Sequence, residues 1–414
     1  MNVSIAQRPT ILAIFVLTYV ALAIGRIPGL RLNRTGIALL GAIAMIIFSG
    51  SSTEESSSIV NWPTIILLFG FFVISAQLRL SGFYDRIAEL VSKRLSAPEH
   101  FLLCLIGVTA GLSAFLNNDI VCYVLTPVVG GALIRKRIDP VPFLIALAAS
   151  SNIGAAATLI GNAQNMLIGS LAHLNFLKYS LWSVVPALIG LGATYVVTRI
   201  GRREGPPELR AEDIEPEEPP CVFDSYHTTK GLVILAAVIA LFFTSIPREI
   251  TVLVAAGIHL LSTKFRTEQL LALVDWPVLL LFMSLFVVSG TFQAAGYSEY
   301  IVHWMEGAGF NPGVLSNEAI LTSGLTILIN NAPAVMLLVK IVPMANVASA
   351  YVMAVANSFA GNAIMTASVA NIIVVQQARR QGIVISFGAF ARLGLPITIA
   401  AIAGLVGWAA LVGA

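Results

Sequence analysis

Apolar runs close to the thickness of a bilayer recur along almost the whole of this 414-residue chain. A helical span needs about 20 apolar residues. Ten stretches approach or exceed that length: 10–25, 35–50, 60–80, 142–175 and 179–200, then 229–246, 249–263, 276–295, 346–378 and 384–412. Charged residues make up 11% of the chain, against roughly a quarter in a soluble domain. So few charges cannot cover a water-facing surface, and the chain reads as an all-α polytopic membrane protein.

Two further apolar stretches, 101–134 and 316–345, are too long for one span. Consecutive asparagines interrupt each at its middle, leaving arms of about 15 residues that suit a re-entrant hairpin. Ile11–Gly25 reads as a first span rather than a signal peptide, because Arg26, Arg31 and Arg34 follow the apolar core and only Arg8 precedes it. The segment 201–228 is rich in proline and glutamate and reads as a flexible cytoplasmic linker. If every run crosses once and every hairpin returns, four of the 24 basic residues (Arg8, Lys178, Arg248 and Lys340) fall on one side and 20 on the other. That is the positive-inside signature; it places both termini outside, on the periplasmic face of an inner membrane.

The sequence repeats itself. Asn61-Trp62-Pro63, Phe72 and Gly82 recur as Asp275-Trp276-Pro277, Phe286 and Gly296, all 214 residues on, and the asparagine pair at 117 recurs 213 residues on at 330. Residues 1–200 and 229–414 thus form two halves of five crossings each. An odd number inverts the second half. Inverted repeats with interrupted helices indicate a secondary transporter.

Four interruptions carry the candidate chemistry. They are Asn117-Asn118-Asp119; Asn330-Asn331; the broken helix 142–175 with Ser151, Asn152, Thr158, Asn162 and Asn165; and the broken helix 346–378 with Asn357, Ser358, Asn362, Thr366 and Asn371. Irregular backbone at membrane depth must be buried in protein or line a wet cavity. Half-helix N-termini offer N–H groups there, and unwound carbonyls offer cation ligands. Polar residues of this kind also serve as helix–helix glue, but glue does not call for four clusters at corresponding places in both halves.

Among the 21 acidic residues, this topology leaves Asp119 as the one deep in an apolar segment. A carboxylate there with no fixed cationic neighbour favours its neutral form, so Asp119 is the expected proton-coupling or cation-coupling group, the alternative being a neutral acid that merely bonds the hairpin tip. Cys122, three residues on, is a candidate soft contact for a metalloid, although such a cysteine is more often apolar filler. Gly107 and Gly111 have small-xxx-small spacing, expected to pack helices. The three cysteines show no paired spacing, no phosphate-binding loop or metal motif is present, and a net charge of +3 is too small to indicate nucleic acid. No cofactor and no enzymatic activity are expected.

Ser113-Ala-Phe-Leu-Asn117-Asn118-Asp119 with Leu125-Thr126-Pro127 resembles the first hairpin of the arsenite efflux permease group of the ion transporter superfamily. Ser151-Asn152-Ile-Gly154 through Asn165 resembles the broken helix that follows in that superfamily, and Asn330-Asn331-Ala332-Pro333 resembles the second-hairpin motif of arsenite permeases. The resemblance covers almost the whole chain. The superfamily also includes sodium/proton antiporters and, more distantly, divalent anion/sodium symporters. The resemblance implies a scaffold plus a moving transport domain working as an elevator, with hairpin tips and broken-helix loops binding substrate and coupling ion. It also allows a homodimer and an ATPase subunit as partners. The symporters carry Ser-Asn-Thr at both tips, a signature this chain lacks. Prolines usual after the broken-helix glycine are replaced by Ala163 and Gln164.

A multivalent anion disfavours a neighbouring carboxylate, and no arginine or lysine lies near Asp119 in sequence. Arsenous acid is neutral at physiological pH and rich in hydroxyls. The expected function is therefore proton-coupled efflux of As(III) or Sb(III) hydroxide, with a sodium-coupled anion or dicarboxylate symporter, or a sodium/proton antiporter, as alternatives. One proton moving through 100 mV yields about 2.3 kcal/mol, enough for a gradient of roughly 50-fold at about 1.4 kcal/mol per decade.

Overall fold

A computed structural model describes residues 4–25, 29–93, 98–202, 209–214, 222–342, 344 and 346–412. Helices α1 (Arg8–Ile24), α2 (Arg34–Ser49), α3 (Thr53–Ile59), α4 (Trp62–Leu80), α5 (Phe83–Ser92), α6 (Pro98–Phe115), α7 (Asn118–Arg135), α8 (Val141–Ala156), α9 (Ala163–Leu171) and α10 (Phe176–Gly201) precede a strand, β1 (Leu209–Ile214). A second series comprises α11 (Ser225–Leu241), α12 (Arg248–Leu260), α13 (Thr267–Ala272), α14 (Trp276–Ala294), α15 (Tyr297–Gly307), α16 (Leu315–Ile329), α17 (Asn331–Leu338), α18 (Val347–Ala360) and α19 (Val369–Arg380). Strand β2 (Gln381–Ile383) and α20 (Phe387–Val412) complete it.

The two series share local signals. Asn61 and Asp275 cap α4 and α14 by accepting from Thr64 and Val278 N–H, and each helix has proline in its first turn. Both helices are 19 residues long, and α10 and α20 are 26 each. Gly82 (φ 72°) and Gly296 (φ 84°) adopt the left-handed conformation that turns α4 into α5 and α14 into α15. In the tertiary packing α14 lies on α2 and, reciprocally, α12 lies on α4; α6 packs on α8, α16 on α18, and α10 on α20.

Among the described residues, seven helical segments are long and apolar enough to cross a membrane: Ile5–Ile24, which contains α1, and α4, α6, α7, α10, α14 and α20. Apolar helices α2, α8, α11, α16 and α18 are shorter. The chain is a multi-pass membrane protein. Three expectations need correction. First, the arms α6 and α7 are 18 residues each rather than about 15, because α6 begins with Pro98-Glu99-His100, which extend the helix without extending the apolar run. Second, the segment 201–228 is not loop throughout. Helix α10 runs to Gly201, Asp224 caps α11, and β1 pairs antiparallel with β2; residues 203–208 and 215–221, the rest of the expected linker, lie outside the described residues. Third, a side chain at Gly107 or Gly111 would touch nothing within 4 Å. The close approach on α6 comes instead from Gly154 of α8, where a Cβ would stand 2.4 Å from the Ala110 carbonyl oxygen.

Candidate functional site

Both α8 and α18 stop in mid-run, over 157–162 and 361–368, and resume as α9 and α19. The hairpin helices break at Leu116-Asn117 and at Asn330. Asn117 caps α7 by accepting from the N–H groups of Asp119 (2.8 Å) and Ile120 (3.3 Å). Asn330 sits at φ 77°, ψ 159°, a region that side chains other than glycine rarely adopt. Its amide donates to the Thr366 carbonyl at 3.0 Å, and Arg34 Nη2 from α2 donates to the same oxygen at 3.3 Å.

The N-termini of α7, α9, α17 and α19 converge on one small, partly open cavity. It is lined by Asn117, Asn118, Asp119, Ala163, Gln164, Asn331, Ala332 and Val369, against an apolar wall of Phe72, Val278, Leu281 and Phe282 from α4 and α14. Each helix start presents N–H groups with a partial positive charge. Asp119 is the one ionisable side chain in that lining, and Asp275, the cap of α14, is the charged group that acts on it electrostatically.

Behind the cavity lies a buried network of amides and hydroxyls. Asn152 is its hub: Nδ2 donates to Asn362 Oδ1 (2.9 Å) and Asn371 Oδ1 (3.0 Å), while Oδ1 accepts from Ser368 (3.0 Å) and Asn118 (3.4 Å). Asn162 donates to Ser358 Oγ at 2.9 Å. Ser151 donates to the Asn118 carbonyl and shares a hydrogen with Ser113; Asn357 donates to the Asn331 carbonyl and to Thr326. Asn165 holds the carbonyls of Ala155 and Thr158, ten and seven residues earlier, and Asn371 holds those of Gly361 and Ile364 at the same two spacings. Thr158 Oγ1 closes on the Ala114 carbonyl.

These bonds come in matched sets. Residues 151, 152, 155, 158, 162 and 165 each have a counterpart 206 residues on, and 113 and 118 have counterparts 213 on. The bonds Asn162–Ser358 and Ser368–Asn152 are each other's image between the halves.

The candidate residues therefore separate by position. Asn117, Asn118, Asp119 and Asn331 line the cavity. Ser151, Asn152, Asn162, Asn357, Ser358, Asn362 and Asn371 form the network behind it, and Thr158, Asn165, Asn330 and Thr366 fix the backbone of tips and breaks. Cys122 is fully buried within α7 and is not part of the lining. Gln164 and the apolar wall are site residues that the sequence reading did not select; Gln164 was legible as a polar residue in the first turn after the Asn162 cap.

Asp119 is not the only acidic residue placed deep in the fold. Glu318 of α16 is fully buried, more so than Asp119, with the Ser349 hydroxyl of α18 the polar group beside its carboxyl. It lies near the start of the 316–345 stretch, beside the polar Ser316 and Asn317, and packing against α18 encloses it.

With this geometry in place, comparison with known proteins is informative. The family model described as citrate transporter, CitMHS, matches residues 19–360. The chain belongs to the citrate transporter family. An uncharacterized transporter of Mycobacterium tuberculosis is 28% identical over 94% of both chains. The silicon efflux transporter LSI3 of Oryza sativa subsp. japonica is 34% identical over 40% of this chain and 34% of its own. A Dictyostelium discoideum protein carrying the transporter name arsB is 32% identical over 39% of this chain and 29% of its own. Among solved structures, the YdaH transporter of Alcanivorax borkumensis superposes with a TM-score of 0.57 at 13% identity, covering 98% of both chains. MtrF of Neisseria gonorrhoeae gives 0.59 at 12%, covering 97% of this chain and 94% of its own. The fold is thus that of known membrane transporters. This citrate transporter family member is a secondary transporter rather than an enzyme, and it falls within the ion transporter superfamily to which its hairpin motifs point.

Proposed function

We propose that the protein exports a small, neutral, hydroxyl-rich oxyacid, with As(III) or Sb(III) hydroxide as the solute, in exchange for protons. The lining of the cavity carries this reading. Its polar side chains are the amides of Asn117, Asn118, Gln164 and Asn331 and the single carboxyl of Asp119, with no basic side chain among them. Amides donate to and accept from hydroxyl groups at once, and a lone carboxyl supplies a proton-exchanging group within the same cavity. The printed names of the silicon efflux and arsB relatives point to the same solute class, since silicic and arsenous acids are both small neutral polyhydroxyl species.

In this reading the chain lies in the inner membrane with both termini outside, and the halves are an inverted repeat. The reciprocal bonds Asn162–Ser358 and Ser368–Asn152 support that arrangement. Residues 101–134 and 316–345 act as re-entrant hairpins, and the hairpins and broken helices move as an elevator against a scaffold that includes α4 and α14. Asp119 carries the coupling proton.

A second reading is an anion such as citrate, driven by sodium or protons. Four helix N-termini at one cavity favour it, as does the family description. Everted vesicles energised with a proton gradient separate the two. Accumulation of As(III) without citrate supports the proposal; citrate accumulation without As(III) replaces it.

A further inference from the structure

Helix α16 is built inside out. Ile320 and Leu328 are exposed on its outer side, while Glu318, Thr322 and Thr326, at four-residue spacing, are all fully buried on one face. That face lies on α18 in a parallel register. Thr326 Oγ1 accepts from Asn357, 31 residues on, and Ser349, also 31 residues on, is the polar group beside Glu318. The Thr322 hydroxyl has no hydrogen-bond partner, and the Ser349 hydroxyl is the one polar group that faces the Glu318 carboxyl. At the other end of the row, Asn357 bonds the Asn331 carbonyl, and Asn331 lines the cavity.

The repeat shows that packing does not require this acid. Position 105 corresponds to 318 by the 213-residue offset, and 143 corresponds to 349 by the 206-residue offset. There the first half has Leu105 and Phe143, both fully buried in an apolar core. The hydroxyl positions are kept, as Thr109 and Ser113, and only the carboxyl is special to the second half.

No fixed charge neutralises Glu318. Helix α16 packs against α1, α17, α18 and α20. The titratable or charged residues on or next to these elements are Arg8 and Tyr19, Lys340, Tyr351 and Arg392. Arg8 and Arg392 are exposed, Tyr351 packs edge-on against Tyr179 and tilted against Trp182, Tyr19 donates to the Pro333 carbonyl, and none pairs with the acid. The helix dipole favours an anion in the first turn of α16. That effect is smaller than the cost of stripping water from an unpaired carboxylate, so the neutral acid is the form this pocket holds.

We propose that Glu318 is a second proton-binding site, separate from Asp119, and that the buried hydroxyls of Thr322 and Thr326 line the route by which its proton exchanges. Glu318 stands one helical turn from the exposed loop at Asn311 and Gly313, which gives it the short route to bulk water. The step is an acid–base exchange: the carboxylic acid releases its proton to water, leaving the carboxylate, and takes a proton back from water. Proton occupancy is a property of the chain itself. Only its use in transport rests on the proton-coupled reading above.

Infrared spectroscopy of the purified full-length protein in lipid tests this without any solute. At neutral pH the wild type should show a protonated-carboxyl C=O band that survives Asp119→Asn and disappears in Glu318→Gln. Glu318→Asp, which keeps the acid, should retain a shifted band, so that loss of the band is not a folding artefact. On transfer to heavy water the Glu318 band should shift by hydrogen exchange, and Thr322→Val, which removes one hydroxyl of that route but keeps the shape, should slow that shift about tenfold. The proposal is overturned if Glu318→Gln leaves the spectrum unchanged, if replacing choline by sodium abolishes the band and so marks a sodium site, or if Thr322→Val exchanges at the wild-type rate.

Discussion

Asn162, the cap of α9, donates its side-chain amide to Ser358 of α18 at 2.9 Å, joining the two halves behind the cavity, and Ser368, the cap of α19, returns an equivalent bond to Asn152 of α8. Each break is thus held by the partner half as well as by the asparagine of its own. A buried hydrogen bond left half-made costs about 1–3 kcal/mol. Asn162→Ala and Ser358→Ala should each lower stability by that amount. Together they should cost about 1 kcal/mol less than the sum of the two. Thermal unfolding of the purified protein in detergent, run as a double-mutant cycle, measures this; strict additivity would show that the bond is not made.

Asn165 and Asn371 hold corresponding carbonyls of the two breaks. Replacing either by alanine frees two buried carbonyls, so each substitution is expected to cost about 2 kcal/mol or more. Because the roles match, the losses should agree within about 1 kcal/mol. Denaturation midpoints of the two variants provide the comparison.

Gly161 lies where a Cβ would meet the backbone oxygens of Ala155 (2.4 Å) and Ser113 (2.6 Å). Backbone cannot yield as a flexible side chain would, so Gly161→Ala should cost about 1–3 kcal/mol and push the first break away from its hairpin. Gly107→Ala, facing open space, is the control and should be close to neutral. Yield and melting temperature of the folded protein distinguish the two.

Asp119 is the ionisable group in the cavity lining. Asp119→Asn keeps size and hydrogen bonding while removing proton exchange. Solute flux in proteoliposomes should fall at least about tenfold, a loss of about 1.4 kcal/mol in the driven step, and the residual flux should be independent of pH. Wild-type flux with an intact pH profile in this variant would remove Asp119 from the mechanism.

Asp224, outside the spans, caps α11. The His227 backbone N–H, the Lys264 ammonium and the His227 side chain hold its carboxyl well below the usual carboxylate range. A lowered folded-state pKa means that its stabilising contribution is complete above the unfolded value, about 3.9, and is lost as pH falls through the folded one. Melting temperature should therefore drop below about pH 4, and Asp224→Asn should flatten the part of that drop due to this group. Circular dichroism melts across the acid range would show it.

Much of this was written locally. Apolar runs, the Asn61 and Asp275 caps, Gly82 and Gly296, and the asparagines at tips and breaks all act through backbone geometry within a few residues, so their positions could be read in order. Burial was less legible. Gly107 and Gly111 have the spacing of a packing motif yet face open space, while Gly154 makes the contact. Cys122 follows Asp119 by almost one turn yet stays inside its helix bundle.

By itself, then, the sequence determined that this is a membrane protein of two similar halves with four polar interruptions, because helix length, capping and hydropathy are properties of contiguous residues. Tertiary structure decided which asparagines face the cavity and which clamp the backbone, since that depends on which helix of the other half lies opposite. It also decided the state of Glu318. Near the start of α16 it follows the polar Ser316 and Asn317, and the packing of α16 on its neighbours, α18 foremost, takes the carboxyl out of water.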